Sequence, residues 1–302
     1  MILVKKLSIC LLLLGCAMGL KAQQQQEFGY TQYMDNLTPF NQAYSMLSKN
    51  GSLSALIRNQ FIGIQGAPNT FILNGTFPIE SVNGAAGMLI MNDQFAIEHN
   101  TQISAFFSKS VQLGETQYLA VSLSAGMKYY TANFSSLDAS DPEFRNDLRE
   151  TAPNLGFGIM YYSDKYFIGL SMPELTITGL GTAAIQDNTN FRNHYYFSGA
   201  FITDIADGIK LKPATLVAYA RGVPVTANLS GTIFLQETVG VGVNFRTDNA
   251  AAGILSINVN SLKIGYSYQF ETGSKNLGGF NNSIHEITLT YKFGNVTKNN
   301  LL

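Results

Sequence analysis

The chain has 302 residues and a formal net charge of −1, so no basic field draws it toward nucleic acid. Only 13% of its residues are charged, against about 25% in ordinary globular domains, whereas 12% are aromatic. A large soluble all-β sandwich would normally carry more charge. The composition therefore favours a chain that exposes little surface to water.

The first 22 residues predict a signal peptide. Two lysines precede an apolar stretch at 7–14, which is too short to span a bilayer, and Ala22 precedes a plausible cleavage point. A lipoprotein signal with Cys16 as the acylated residue is the alternative. Cys10 and Cys16 are the only cysteines. A chain cleaved after Ala22 therefore has no thiol chemistry and no disulfide.

Alternation of apolar and polar residues recurs along the rest of the chain. No run of about 18 apolar residues follows the signal, so the exported chain is either soluble or crosses a membrane as strands. The alternation in 118–130 outlasts the usual 4 to 8 residues of a half-buried soluble strand. Stretches such as 225–235 and 262–271 have the length of tilted membrane strands. The pattern predicts lipid outside and water inside a barrel; the alternative is a soluble sandwich.

The predicted fold is all-β, a transmembrane antiparallel β-barrel of about 14 strands that covers 52–294. Short and long connections alternate, which predicts periplasmic turns, longer outer loops and both termini in the periplasm. The strands are predicted at 52–60, 69–77, 83–92, 99–109, 116–131, 153–163, 165–173, 192–203, 210–221, 224–235, 237–247, 250–259, 262–272 and 283–294.

Two segments flank the predicted barrel. Residues 23–51 are rich in aromatic side chains and do not alternate, so we expect a periplasmic collar or a plug in the lumen. Residues 295–302 are predicted to form a short periplasmic tail.

No catalytic, cofactor or metal site is predicted. His99, His194 and His285 lack metal-ligand spacing, and no nucleophile-elbow, Walker or dinucleotide motif occurs. Pairing of His194 with Ser198, or of His285 with Ser283, leaves a barrel hydrolase as an alternative. We therefore expect a protein that is not an enzyme and needs no cofactor.

Two groups of charges leave alternatives open. Acidic and basic residues in 137–150 favour a self-paired, solvated loop, with calcium binding as the alternative. Lys263, Glu286 and Lys292 are predicted on the inner face of the last two strands. They either tune ion passage or form a structural charge network inside a filled lumen.

Seven stretches in matching order resemble the PorP/SprF membrane proteins of the type IX secretion system. Gln42, Phe61 and Gln269 depart from the family's proline, tryptophan and aspartate, and the last change removes a charge. The stretches are "NQAYSM" at 41–46, "RNQFIGIQGAPNT" at 58–70, "DPEF" at 141–144, "YFIGLSMPEL" at 166–175, "LKPATLV" at 211–217, "GYSYQF" at 265–270 and "HEITLTYKF" at 285–293.

The resemblance implies a non-enzymatic outer-membrane component that supports secretion or surface attachment of specific secreted proteins, often adhesins. The implied partners are the secreted cargo, periplasmic or outer-membrane secretion components and membrane lipid. The alternative is an outer-membrane transport channel for small or apolar substrates.

Two elements are the predicted partner-binding sites. An outer-rim element is expected to contact cargo, with the Arg58 fork suited to a carboxylate and Phe61 and Ile64 adding apolar area; its glycines and proline alternatively only shape a turn. The segment 28–46 is expected to contact the periplasmic machinery through its aromatic side chains. The named residues are Arg58, Gln60, Phe61, Gly63, Ile64, Gly66, Ala67 and Pro68 in the first element, and Tyr30, Tyr33, Phe40 and Tyr44 in the second.

The predicted topology places the connections 132–152 and 174–191 outside the cell. Cysteine introduced at Ser140 or Asn188 should therefore react with a membrane-impermeant maleimide on intact cells. Labelling that requires permeabilisation of the outer membrane would invert this topology.

Overall fold

Fifteen strands of the described chain form one antiparallel sheet that closes on itself. The computed structural model describes residues 29–48, 50–137, 141, 145–176, 192–271, 283–294 and 301–302. Short 3-10 helices occur at Gln42–Met46, Glu80–Val82 and Phe134–Ser136. The strands are β1 (Gly51–Gln60), β2 (Asn69–Ile79), β3 (Gly84–Phe95), β4 (Glu98–Gln112), β5 (Tyr118–Ala132), β6 (Leu148–Tyr162), β7 (Tyr166–Thr176), β8 (His194–Phe201), β9 (Thr203–Ala206), β10 (Ile209–Ala220), β11 (Thr226–Leu235), β12 (Val239–Arg246), β13 (Ala250–Val259), β14 (Leu262–Glu271) and β15 (Ile284–Phe293).

The first and last strands close the barrel. β1 pairs with β15 along its whole length, from Gly51 opposite Phe293 to Gln60 opposite Ile284. β8 and β9 both pair with β10, so they are two parts of one wall strand and the wall has 14 strands. Closure leaves no unpaired sheet edge, which hydrocarbon would not tolerate. The predicted antiparallel barrel and its strand count are confirmed.

Most strands differ from their predicted bounds by one to three residues, and two differ by more. β6 begins at Leu148, five residues before the predicted start, because Leu148–Ala152 continues the ladder with the end of β5. The charged residues Arg149 and Glu150 had suggested a loop, but pairing with β5 holds this stretch as a strand. The other difference is the break at Ile202 between β8 and β9. Its N–H donates to the carbonyl of Lys165 at 2.8 Å instead of to the ladder.

The two faces of the wall differ as the alternation predicts. Along β5, Leu123 is 67% exposed on the outside, whereas its neighbour Ser122 is 1% exposed on the inside. On β11, Leu229 is exposed outside and Asn228 is buried inside. The exposed apolar face therefore suits lipid. No helix within the described ranges is long and apolar enough to cross a bilayer.

Connections at the two ends of the barrel differ in length. At one end, called here the turn end, the connections are 80–83, 113–117, 163–165, 207–208, 236–238 and 260–261. At the other, the loop end, they are 61–68, 96–97, 133–147, 177–193, 221–225, 247–249 and 272–283. The long connections after β5, β7 and β14 are as predicted. The assignment of the turn end to the periplasm stays a prediction.

The lumen is not the wide water-filled space that the sequence had suggested. Residues 29–48, called here the plug, lie inside the barrel and pack against its wall. Lys128 was expected to face water, but it is 4% exposed and its ammonium lies 2.9 Å from the Glu174 carboxylate. Protein and a buried ion pair occupy the lumen at this level, because the plug leaves little room for solvent.

Charge on the outer wall should be costly only within the membrane. Leu123→Arg should destabilise the folded barrel by about 2–4 kcal/mol, since its side chain lies near the middle of the apolar belt. Leu113→Arg is the matched control, because Leu113 is 60% exposed in the turn beyond β4. Its expected cost is about 0–1 kcal/mol. Urea titration in lipid vesicles, followed by gel shift, measures both; equal costs would contradict a lipid-facing β5.

Candidate functional site

The plug is the feature of the lumen from which a function can be argued. Tyr33, Met34, Leu37 and Phe40 are all at most 2% exposed. The 3-10 helix Gln42–Met46 completes it, and Asn41 caps this helix by accepting a hydrogen bond from the Ala43 N–H at 3.1 Å. Of the segment 23–51, which was expected to form a collar or a plug, the described residues 29–48 pack inside the barrel wall.

A buried carboxylate on the wall anchors the start of the plug. Glu286 of β15 is 0% exposed. The backbone nitrogen of Thr31 lies 2.9 Å from both of its carboxylate oxygens, and that of Gln32 lies 3.3 Å from one. Arg58 donates from Nε at 3.2 Å and Ser267 from its hydroxyl at 2.9 Å. These donors replace the water that an ionised carboxylate would otherwise need.

A second ion cluster lies further along the plug. Asp35 is 2.6 Å from the Lys263 ammonium and 3.9 Å from that of Lys212. Lys212 is completely buried and also donates to the carbonyl of Met34 at 2.6 Å. Burial alone would raise the pKa of Asp35, but the Lys263 and Lys212 ammonium groups outweigh it and hold that pKa below its ordinary value. The plug carboxylate is therefore ionised at neutral pH.

Neutral hydrogen bonds hold the plug between the two ion clusters. The amide of Gln32 donates to the Glu286 carbonyl at 3.3 Å and accepts from Thr288 at 2.8 Å. Gln269, the residue that departs from the family's aspartate, accepts from the Thr31 hydroxyl at 3.2 Å. Its partner is thus a neutral hydroxyl, so the missing charge leaves this contact intact.

Two glycines of the wall make room for a plug side chain. Asn41 donates from Nδ2 to the Ile159 carbonyl at 3.2 Å. A methyl group on Gly158 would lie 2.3 Å from its Oδ1, and one on Gly169 would lie 2.7 Å from its Nδ2. The Asn41 amide therefore fits a slot between Gly158 and Gly169, and a side chain at either glycine would narrow this slot.

Aromatic rings fill another part of the lumen. Tyr30 stacks on Phe40 with ring centroids 4.8 Å apart, and Phe40 lies 5.0 Å from Tyr196 of β8. Tyr44 meets Phe167 of β7 edge to face at 5.8 Å. Aromatic pairs at these separations add about 0.5–1.5 kcal/mol each beyond the area that they bury. The plug is thus held by ion pairs with β10 and β14, by hydrogen bonds to Glu286 of β15 and by rings on β7 and β8.

The structure divides the predicted rim element into a buried and an exposed part. Arg58 and Gln60 are buried in the wall of the lumen, and the carboxylate that Arg58 meets is Glu286 of the same barrel. Contrary to the prediction, Arg58 is therefore not available to a partner's carboxylate, because closure of the sheet places Glu286 directly opposite it. Phe61 and Ile64 are partly exposed in the connection 61–68.

Backbone conformation supports the turn-shaping alternative for the glycines. Gly63 and Gly66 have φ of +98° and +74°, which favours glycine, and Gly66 accepts a hydrogen bond from the Ala96 N–H at 2.8 Å. Ala67 and Pro68 follow at the partly buried end of this connection. A role of the element in partner binding stays a prediction.

The aromatic residues predicted to contact the machinery lie inside the barrel. Tyr30, Tyr33 and Phe40 are at most 3% exposed, and Tyr44 is partly buried. In this conformation these side chains present almost no area to a periplasmic partner, because the wall covers them. Contact between the segment and the machinery stays a prediction.

Two of the three predicted inner charges, Lys263 and Glu286, contact the plug. Lys263 pairs with Asp35, and Glu286 holds the plug as described above. The sequence analysis did not identify Asp35 as the partner of Lys263, nor Lys212 as the second lysine beside Asp35. One signal was present, since Asp35 is the single acidic residue in 28–79.

The histidines take separate positions. His285 accepts or donates at 2.9 Å from Tyr266 and lies 3.4 Å from the hydroxyl of Ser283, which is 1% exposed and so shielded from any substrate. His194 stacks on Tyr196, and His99 is on β4. Within the described ranges no three His, Cys, Asp or Glu side chains group as metal ligands. Much of the acidic loop 137–150, the predicted signal peptide and residues 295–300 lie outside those ranges.

Comparison with known proteins gives one family. The family model of "Type IX secretion system membrane protein PorP/SprF" matches residues 22–291. No curated protein matches the chain.

Solved structures of similar shape are outer-membrane proteins and channels of low sequence identity. Omp33 of Acinetobacter baumannii has a TM-score of 0.46 and 8% identity, with 82% of this chain and 98% of that chain covered. The toluene transporter TodX of Pseudomonas putida has a TM-score of 0.46 and 7% identity, with 85% and 92% covered. The monoaromatic hydrocarbon channel CymD has a TM-score of 0.49 and 10% identity, with 87% and 92% covered.

The slot around Asn41 predicts a specific cost for one methyl group. Gly158→Ala should destabilise the barrel by about 1–3 kcal/mol, because the methyl group meets the Asn41 amide and the Ser122 hydroxyl. Gly231→Ala is the control, since nothing lies within 4 Å of a methyl group there. Urea midpoints of the heat-modifiable barrel measure both. If both variants lose the same amount of stability, the effect comes from the strand backbone and not from contact with the plug.

Proposed function

Because this chain belongs to the PorP/SprF family of type IX secretion system membrane proteins, we propose that it supports secretion or surface attachment of specific secreted proteins by binding them at a rim of the barrel. It is an outer-membrane component of that system, located in the bacterial outer membrane. The finer role, with particular cargo proteins and particular machinery partners, is the proposal.

One observation carries the proposal, namely the occupied lumen. The plug crosses the space that a transported molecule would need, and it is held by Glu286 at one point and by Lys263 and Lys212 at another. Lipid covers the outside of the wall. The surfaces left for a protein partner are therefore the two ends of the barrel.

The ion clusters favour the closed lumen strongly. Withdrawal of the plug would remove Asp35 from Lys263 and the backbone donors from Glu286. Separating one partner of a buried ion pair from the other costs about 3–5 kcal/mol. A cost of this size holds the unplugged state below about 1% of molecules in the absence of another ligand.

The loop end offers apolar area for cargo. Ile62 is 60% exposed at the tip of the connection 61–68, next to the partly exposed Phe61 and Ile64. This is the part of the predicted rim element that remains accessible. Exposed aliphatic side chains beside a rigid turn suit contact with a folded secreted protein.

The turn end offers a separate surface for secretion components. Val82, Leu113 and Ile205 are 42%, 60% and 53% exposed in or beside the turns of that end. We propose that these three residues, and not the buried aromatic residues of the plug, contact the periplasmic machinery.

A disulfide between plug and wall tests whether the lumen must open. The Asn36 amide nitrogen lies 2.6 Å from the Asn74 amide oxygen, so Asn36→Cys with Asn74→Cys places two thiols within reach of a short crosslinker. A cysteine side chain is shorter than that of asparagine, so a short bis-methanethiosulfonate reagent joins the two thiols through disulfides that a reductant can cleave. The only other cysteines are Cys10 and Cys16 in the predicted signal peptide. We expect the crosslinked protein to support a normal surface level of its cognate cargo, because rim binding leaves the plug in place.

A rim substitution completes the experiment. Ile62→Ser should lower surface cargo severalfold while gel shift reports a normal amount of folded barrel. Cargo loss in the disulfide-locked protein that is reversed by a reductant would contradict rim binding with the plug in place and show that secretion needs the plug to move. Normal cargo with Ile62→Ser would remove the connection 61–68 from the proposed surface.

A further inference from the structure

Two residues from the far end of the chain are seated in the mouth of the barrel at the turn end. Leu301 and Leu302 are each only 5% exposed. Leu302 belongs to the same apolar cluster as plug residues Tyr30 and Phe40, with Tyr44 and Leu47 packed against it. The periplasmic position predicted for 295–302 stays a prediction.

The barrel contacts the backbone of this leucine pair as well as its side chains. The Lys212 ammonium, which is completely buried, donates to the carbonyl of Leu301 at 2.5 Å. The Tyr44 hydroxyl donates to the carbonyl of Leu302 at 2.7 Å. Backbone carbonyls are common to every peptide. The mouth therefore combines donors for any extended chain with an apolar seat for two aliphatic side chains.

An open cavity continues from Leu302 along the inside of β1, β2, β14 and β15. It has a volume of about 60 Å³, and Asp35, Lys263 and Lys292 line it together with hydroxyl and amide side chains. Ser45 and Thr76 also line it, and their buried hydroxyl oxygens have no hydrogen-bond partner among the described residues. Two lysines accompany the single carboxylate of Asp35, which is paired with Lys263, so the lining carries excess positive charge and favours an acidic ligand.

We propose that this mouth is a peptide-binding site which the chain's own Leu301–Leu302 occupies in the structure. The ligand class is a peptide of a partner protein with two adjacent bulky aliphatic residues and an acidic group beside them. The aliphatic side chains take the apolar seat, their carbonyls accept from Lys212 and Tyr44, and the acidic group enters the lysine-lined cavity.

Exchange at this site is coupled to the plug. The Lys212 ammonium donates to Met34 of the plug as well as to Leu301, and Tyr44 is itself a plug residue. The resident segment is tethered, so its effective concentration is on the order of millimolar. A free peptide therefore competes poorly until the resident segment is weakened.

The test is a titration with a synthetic peptide of residues 295–302, Asn-Val-Thr-Lys-Asn-Asn-Leu-Leu, labelled at its amino end with a fluorophore and bearing a free carboxyl end. Fluorescence anisotropy reports its binding to the full-length barrel in detergent. Leu301→Ser with Leu302→Ser weakens the resident segment, and this variant should bind the peptide at least tenfold more tightly than the unaltered protein.

Three controls locate the binding. Tyr44→Phe in the double variant should weaken binding about fivefold, the effect of one hydrogen bond. A peptide that ends in Ser-Ser should not bind measurably. Amidation of the carboxyl end should weaken binding, because it removes the acidic group that is proposed to enter the cavity.

The proposal is overturned if the folded double variant does not bind the peptide, or if the Leu-Leu and Ser-Ser peptides bind equally. It is also overturned if the altered and unaltered proteins bind alike, since detergent partitioning would give that result. If the double variant yields no heat-modifiable barrel, Leu302→Ala replaces it, and the same titration should show a smaller gain in affinity. The absence of any gain in that variant likewise overturns the proposal.

Discussion

The buried carboxylate of Glu286 is the interaction on which the closed lumen depends. An ionised carboxylate inside a barrel wall must be hydrogen-bonded or paired, because its desolvation is otherwise far too costly. The wall supplies one donor from Arg58 and one from Ser267, and the plug supplies the backbone N–H groups of Thr31 and Gln32. The wall is therefore incomplete without the plug, and the plug is positioned by the wall.

The inner face of the barrel is shaped for this occupant. Closing the sheet satisfies the backbone in lipid but leaves a polar inner surface that either water or protein has to cover. Here glycines such as Gly158 and Gly265 lie directly beneath plug amides, and the Thr288 hydroxyl donates to the amide oxygen of Gln32. Such a surface fits one particular segment. A general aqueous pore has no need of slots of this kind.

Because the lumen is plugged and lipid covers the wall, the two ends of the barrel are the surfaces open to protein partners. The loop end presents exposed aliphatic side chains on a connection whose shape is set by Gly63 and Gly66. The turn end combines exposed turns with a mouth in which Tyr44 and Lys212 hold a pair of leucines. Because Tyr44 belongs to the plug, an event at this mouth can reach Glu286 through a single short segment of chain. The two ends are thereby connected inside the barrel.

The sequence by itself determined the wall, and tertiary closure decided the site. Strands that face lipid on one side carry a period of two, so their number, their faces and most of their bounds follow from local alternation. The plug has no such period, because it is surrounded on all sides. Its partners are set by closure of the barrel, which brings Asp35 to Lys263 and Arg58 to Glu286 across 228 positions of the chain. For this reason the sequence presented Arg58 as a free donor at the rim, and only the register of β1 against β15 placed a carboxylate opposite it.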